Sequence, residues 1–142
     1  MIDRKLFDII QKKLFSGKAI VILGARQTGK STLLKQIQQQ FEGETKFLDC
    51  DDPQIRKLLE NQSTPNLSRF VAGAKIVFID EAQRVKNIGL SLKQIHDHNP
   101  EIQLIVSGSS SFDLANEINE PMTGRKWEYQ LFPLSYEELS NH

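Results

Sequence analysis

With 142 residues the chain is long enough for one domain with a core of its own, and its 39% hydrophobic and 25% charged residues are ordinary for a globular protein. Lys plus Arg is 18 and Asp plus Glu is 18, a neutral total that argues against direct nucleic-acid binding by this module. The single Cys50 excludes an intramolecular disulfide and suits a reducing cytoplasmic compartment, and no apolar run approaches the roughly 20 residues of a membrane helix.

In chain order, Ile2, Leu6, Ile9, Ile10 and Leu14 recur at helical spacing and predict an amphipathic helix over 3–15. This start is charged throughout and has no cleavage-site pattern, so a signal peptide is not expected. "AIVIL" (19–23) is a short apolar run that stops at glycine, as a buried strand does. A helix is expected from Lys30 to about Phe41, with Leu33, Leu34 and Ile37 inward. "KFLDC" (46–50) reads as a second strand, 52–60 as a helix with Pro53 in its first turn, and "AKIVFID" (74–80) as a third strand. A helix over 88–98, closed by Asn99-Pro100, precedes a fourth strand at 102–108. A helix over 110–116, an alternating fifth strand over 126–132 and a helix from 135 complete the pattern, and Ser135 and Glu138 have capping-box spacing. Alternating strands and helices predict an α/β fold, a mainly parallel sheet with helices on both faces. Ligands in such sheets bind beyond the carboxyl ends of the strands.

The segment Gly24-Ala25-Arg26-Gln27-Thr28-Gly29-Lys30-Ser31, followed by Thr32, lies between the first strand and the next helix. It matches G-x-x-x-x-G-K-[ST] at every defined position. A loop that wraps phosphate with backbone N–H groups needs glycines at unusual dihedrals, and the helix behind it points its positive end at the anion. Lys30 would reach the β- and γ-phosphates, and the Ser31 hydroxyl would bind Mg²⁺. Asp80 and Glu81 end an apolar strand opposite this loop. Asp80 would hold the Mg²⁺ shell, and Glu81 would polarise the attacking water as general base. The adjacent acidic pair favours an ATPase of the additional-strand class, and no N-K-x-D guanine-reading motif occurs.

The small polar residues after strand four offer a γ-phosphate sensor, with Ser107 and Ser109 as candidates and Ser110 or Ser111 as a helix cap. Arg125, just before strand five, is a candidate to stabilise transition-state charge in cis or from a neighbouring subunit. Arg26 either packs or touches nucleotide, and Arg84 either serves a partner or lies at the surface. His96 and His98 diverge on their helix and do not make a metal pair. Cys50 reads as a small residue at a strand end. Trp127, Tyr129 and Phe132 read as strand packing.

The ordered set "GARQTGKSTLL", "FIDEAQRV", "IVSGSSSFDL" and "MTGRKWEYQLFPLSYEEL" resembles the prokaryotic AAA-superfamily ATPases that carry a C-terminal domain of unknown function. The resemblance covers nearly the whole chain. It implies a P-loop NTPase three-layer sandwich, a five-stranded sheet in the order 5-1-4-3-2, and ATP and Mg²⁺ as ligands. It places Gly29, Lys30 and Ser31 in the phosphate loop, Asp80 and Glu81 in the acidic motif, Ser107 to Ser110 in the sensor segment, and Arg125 at the glycine-arginine step. Members of that family are longer, so the chain is expected to be the N-terminal ATPase module (1–142) of a longer protein. Its partners would be the remaining domain, a second protein or further copies of itself.

Two functions fit: an Mg²⁺-dependent ATPase, or a nucleotide-dependent binding switch with little turnover. A small-molecule kinase would share the phosphate loop but also carry a basic lid, and no arginine-rich lid segment is present.

Overall fold

The computed structural model describes residues 4–25, 29–60, 62–109, 118 and 121–131. The helices expected over 110–116 and from 135 lie outside the described residues, as do Arg26, Gln27, Thr28, Ser110, Ser111 and Phe132. The elements run α1 (Arg4–Lys13), β1 (Ala19–Leu23), α2 (Lys30–Gln40), β2 (Thr45–Asp49), α3 (Pro53–Leu59), α4 (Thr64–Val71), β3 (Ile76–Asp80), a 3₁₀ turn (Ala82–Arg84), α5 (Ile88–His98), β4 (Gln103–Gly108) and β5 (Lys126–Gln130). The five strands form one sheet in the order β2-β3-β4-β1-β5, and every pairing is parallel. This is the expected order read from the other edge.

Successive strand residues point to opposite faces, so β1, β2, β3 and β4 each feed two cores. Val21, Leu23, Val77, Ile79, Leu104 and Val106 face one side, where Leu59 of α3, Leu67 and Val71 of α4 and Leu92 and Ile95 of α5 pack on them. Ile20, Ile22, Ile76, Phe78 and Ile105 face the other, against Leu6, Phe7 and Ile10 of α1 and Leu33, Leu34 and Ile37 of α2. The result is a three-layer α/β sandwich. Complete burial of β1, β3 and β4 explains the continuous apolar stretches that they carry, Ala19–Leu23, 76–79 and 104–106. Each fully buried Ile, Leu or Val contributes about 1.5–3 kcal/mol.

Helix α4 is absent from the expected elements. Its signals are short but physical. The Ser63 hydroxyl accepts a hydrogen bond from the Asn66 N–H at 3.3 Å, a proline stands in the first turn, and Leu67 and Val71 are buried four residues apart. Helix α3 starts the same way, with Asp52 accepting from the Gln54 N–H at 2.9 Å ahead of Pro53. Trp127 and Tyr129 of β5 pack against the second core, as their strand-packing reading requires.

Candidate functional site

Strand β4 lies between β1 and β3, with Leu23 paired to Gly108 and Ile79 to Val106. The three segments leaving these strands therefore meet at one edge of the sheet, where the Gly24 N–H donates to the Gly108 carbonyl at 3.1 Å. Helix α2 starts here with no side-chain cap. Gly29 turns the chain into it at φ 92°, a left-handed conformation that glycine adopts without a Cβ penalty. The helix thus presents its first, internally unpartnered N–H groups and its positive end to the loop.

Lys30 is only 4% exposed. Its buried ammonium needs partners, and it donates to the Gly24 carbonyl at 2.8 Å and the Ala25 carbonyl at 3.1 Å of its own loop. Glu81 Oε1 lies 3.8 Å away. Ser31 donates its hydroxyl to Asp80 Oδ2 at 2.6 Å, joining residues 49 positions apart in sequence. Asp80 is 5% exposed, and its other oxygen accepts from the fully buried Ser107 hydroxyl. The same Ser107 oxygen accepts the Glu81 N–H at 3.3 Å. Two hydroxyls thus satisfy a buried carboxylate that would otherwise be costly.

Glu81 has φ 56° and ψ 46°, a left-handed backbone that costs a non-glycine residue about 1–3 kcal/mol. The contacts at its N–H and at its carboxylate hold it there. Gln83 Nε2 donates to Glu81 Oε2 at 2.9 Å, and Gln83 Oε1 accepts the Ser109 N–H at 3.2 Å. Sequence reasoning missed Gln83; its only signal is its place two residues after the acidic pair.

Ser31 and Asp80 offer hard oxygen donors, and their contact shows that both reach one point. This donor set fits Mg²⁺, which takes one or two protein oxygens and completes its shell with phosphate and water. Cys50 lies beside this edge, its N–H donating to the Asp80 carbonyl at 3.0 Å. Burial, with the charges of Asp49, Asp80 and Asp51 adding to it against Arg56, pushes the thiol up to about 12. It remains a protonated, inert packing group, as expected for a small strand-end residue.

The structure does not bring Arg125 to this site. In an all-parallel sheet the residue before a strand lies at the opposite edge. The Arg125 carbonyl accepts the N–H of Ala19, the first residue of β1, at 2.8 Å. Five strand residues, roughly 16 Å, separate it from the loop. Its guanidinium pairs instead with Asp97 at 2.9 Å and holds that carboxyl below its ordinary range. The in-cis role is therefore corrected. Arg84 is exposed, 3.5 Å from Asp51, and Thr32 is exposed on α2.

A family model described as an AAA domain matches residues 16–140. The chain belongs to that family. This AAA domain is 27% identical over 133 residues to the uncharacterized protein MJ1544 of Methanocaldococcus jannaschii, a match covering 92% of the chain and 30% of that protein. Among solved structures it resembles the Walker-type ATPase PABY2304 of Pyrococcus abyssi, with a TM-score of 0.62 and 16% identity, covering 97% of this chain and 55% of that one. It also resembles the Aeropyrum pernix ORC1 protein in complex with DNA, with a TM-score of 0.65 and 12% identity, covering 99% and 48%. These similarities show the P-loop ATPase fold. The chain spans less than a third of the curated relative's length and about half of the solved chains. Among the described residues no helix is long and apolar enough to cross a membrane.

Proposed function

We propose that this AAA domain is the Mg²⁺-dependent ATP-binding and ATP-hydrolysing module of a longer prokaryotic, cytoplasmic ATPase. The observation that carries the reading is the meeting of Lys30 and Ser31, at the head of α2, with Asp80 and Glu81, at the end of β3, at 2.6 and 3.8 Å. Gly24, Ala25, Arg26, Gln27, Thr28 and Gly29 form the phosphate loop, with Thr32 in the turn behind it. Lys30 exchanges its loop carbonyls for phosphate oxygens. Ser31 and Asp80 hold Mg²⁺, which when bound offsets phosphate charge. Glu81 orients water and takes its proton. Ser107 and the Ser109 segment report whether a γ-phosphate is present. Any action of Arg125 on nucleotide is on a neighbouring subunit's. The output passes to the rest of the longer protein, to a second protein or to further copies of the chain.

Calorimetry with Mg·ATP on the wild type beside Lys30→Ala tests the reading. Binding by the wild type that weakens at least about 100-fold in the variant is expected, since a charged contact to phosphate is lost. No binding by folded wild type would overturn it. A binding switch has one observation in its favour: Lys30 and Asp80 are both engaged by protein groups, so nucleotide entry must exchange those partners. Turnover that Glu81→Gln removes while binding persists decides for the ATPase.

A further inference from the structure

Gln83 sits half-buried in the 3₁₀ turn Ala82–Arg84. Its amide bonds in two directions at once, to the Glu81 carboxylate at 2.9 Å and to the Ser109 N–H at 3.2 Å. A carboxylate only accepts and a backbone N–H only donates, so one orientation of the amide satisfies both. We infer that Gln83 is a positioning residue that holds the Glu81 carboxylate toward the exit of β4 and off the Lys30 ammonium. The inference rests on the reading of Glu81 as general base.

The competition is visible in the distances. Glu81 Oε1 and Lys30 Nζ are 3.8 Å apart, an ion pair short of a hydrogen bond. A carboxylate free to turn would close that gap to a charge-assisted bond of about 2.8 Å. Closure would quench two charges together: the base would lose its water and the lysine part of its hold on phosphate. A neutral amide restrains the carboxylate without neutralising it, as a lysine or arginine would not. A Gln amide can donate to a carboxylate and accept from a backbone N–H through one planar group that stays neutral at every working pH. The tie to Ser109 also connects the base to the segment after β4, so a shift of that segment moves Glu81.

The test compares wild type with Gln83→Met, which keeps the side-chain length and volume but removes both hydrogen bonds. Steady-state Mg·ATP kinetics are read together with amide hydrogen exchange at Ser109. The expected result is a kcat lower by about 10- to 100-fold with KM within about threefold, the loss of one hydrogen bond to a charged group felt in the chemical step. Exchange at Ser109 should accelerate about tenfold once its acceptor is gone. Retained kcat, a rise in KM alone, or unchanged Ser109 exchange in the folded variant would each overturn the inference. Wild type that binds Mg·ATP without turnover would sink the hydrolysis reading instead, and Ser109 exchange alone would then decide whether Gln83 clamps the site.

Discussion

Replacing Ser107 by alanine should destabilise the fold well beyond the effect of one lost hydroxyl. Ser107 is fully buried, and its oxygen serves two groups. It donates to Asp80 and accepts the Glu81 N–H at 3.3 Å. Alanine leaves a carboxylate oxygen and a backbone N–H each short of a partner at a position closed to solvent. A hydrogen bond to a charged group is worth about 1.5–3 kcal/mol, and an unsatisfied buried N–H costs about 1–3 kcal/mol. The left-handed backbone of Glu81 also loses one of its restraints. Partial relaxation returns some of this, so the expected loss is about 2–4 kcal/mol. Equilibrium urea unfolding at neutral pH measures it, with the exposed Gln39→Ala on α2 as a control expected within about 0.5 kcal/mol. A Ser107→Ala loss below about 1 kcal/mol would refute the view that this hydroxyl satisfies the acidic pair.

Cys50 should resist alkylation in the folded protein and react fully once it unfolds; labelling of native protein at the rate of a free thiol would contradict its burial. With the folded thiol at about 12 against an ordinary 9.0, the unfolded chain releases the proton first. Its contribution is therefore whole below about pH 9 and declines as pH rises toward 12, so wild type should lose more stability over that window than Cys50→Ala. Arg125→Ala should lower stability by at most about 1 kcal/mol, because its pair with Asp97 is partly exposed. Arg125 lowers the Asp97 carboxyl, so the pair's contribution is present above about pH 4 and lost as pH falls through the folded value, and acid titration of the variant should lack that step. The same variant, kept monomeric, should turn over ATP like wild type; a large loss of turnover would place Arg125 nearer the nucleotide than β5 allows.

Much of the site is legible in the chain because the chemistry is local. The spacing of Gly24, Gly29, Lys30 and Ser31 describes a loop between a strand and a helix, and β1 (Ala19–Leu23) and α5 (Ile88–His98) begin and end where apolar runs and punctuating residues say. Helix α4 is hard to read from sequence because eight residues with two buried apolar positions make a weak periodic signal, and a serine before a proline, as at Ser63 to Pro65, serves a turn as well as a helix cap. The sequence by itself determined the element alternation, the phosphate-loop motif and the acidic pair, since each depends on neighbours within a few residues. Only the tertiary structure decided which serine touches that pair, that Gln83 joins Glu81 to the exit of β4, and that Arg125 stands at the far edge. Those three follow from β4 lying between β1 and β3 in an all-parallel sheet, and strand order and direction are set by how two layers of helices cover the apolar faces.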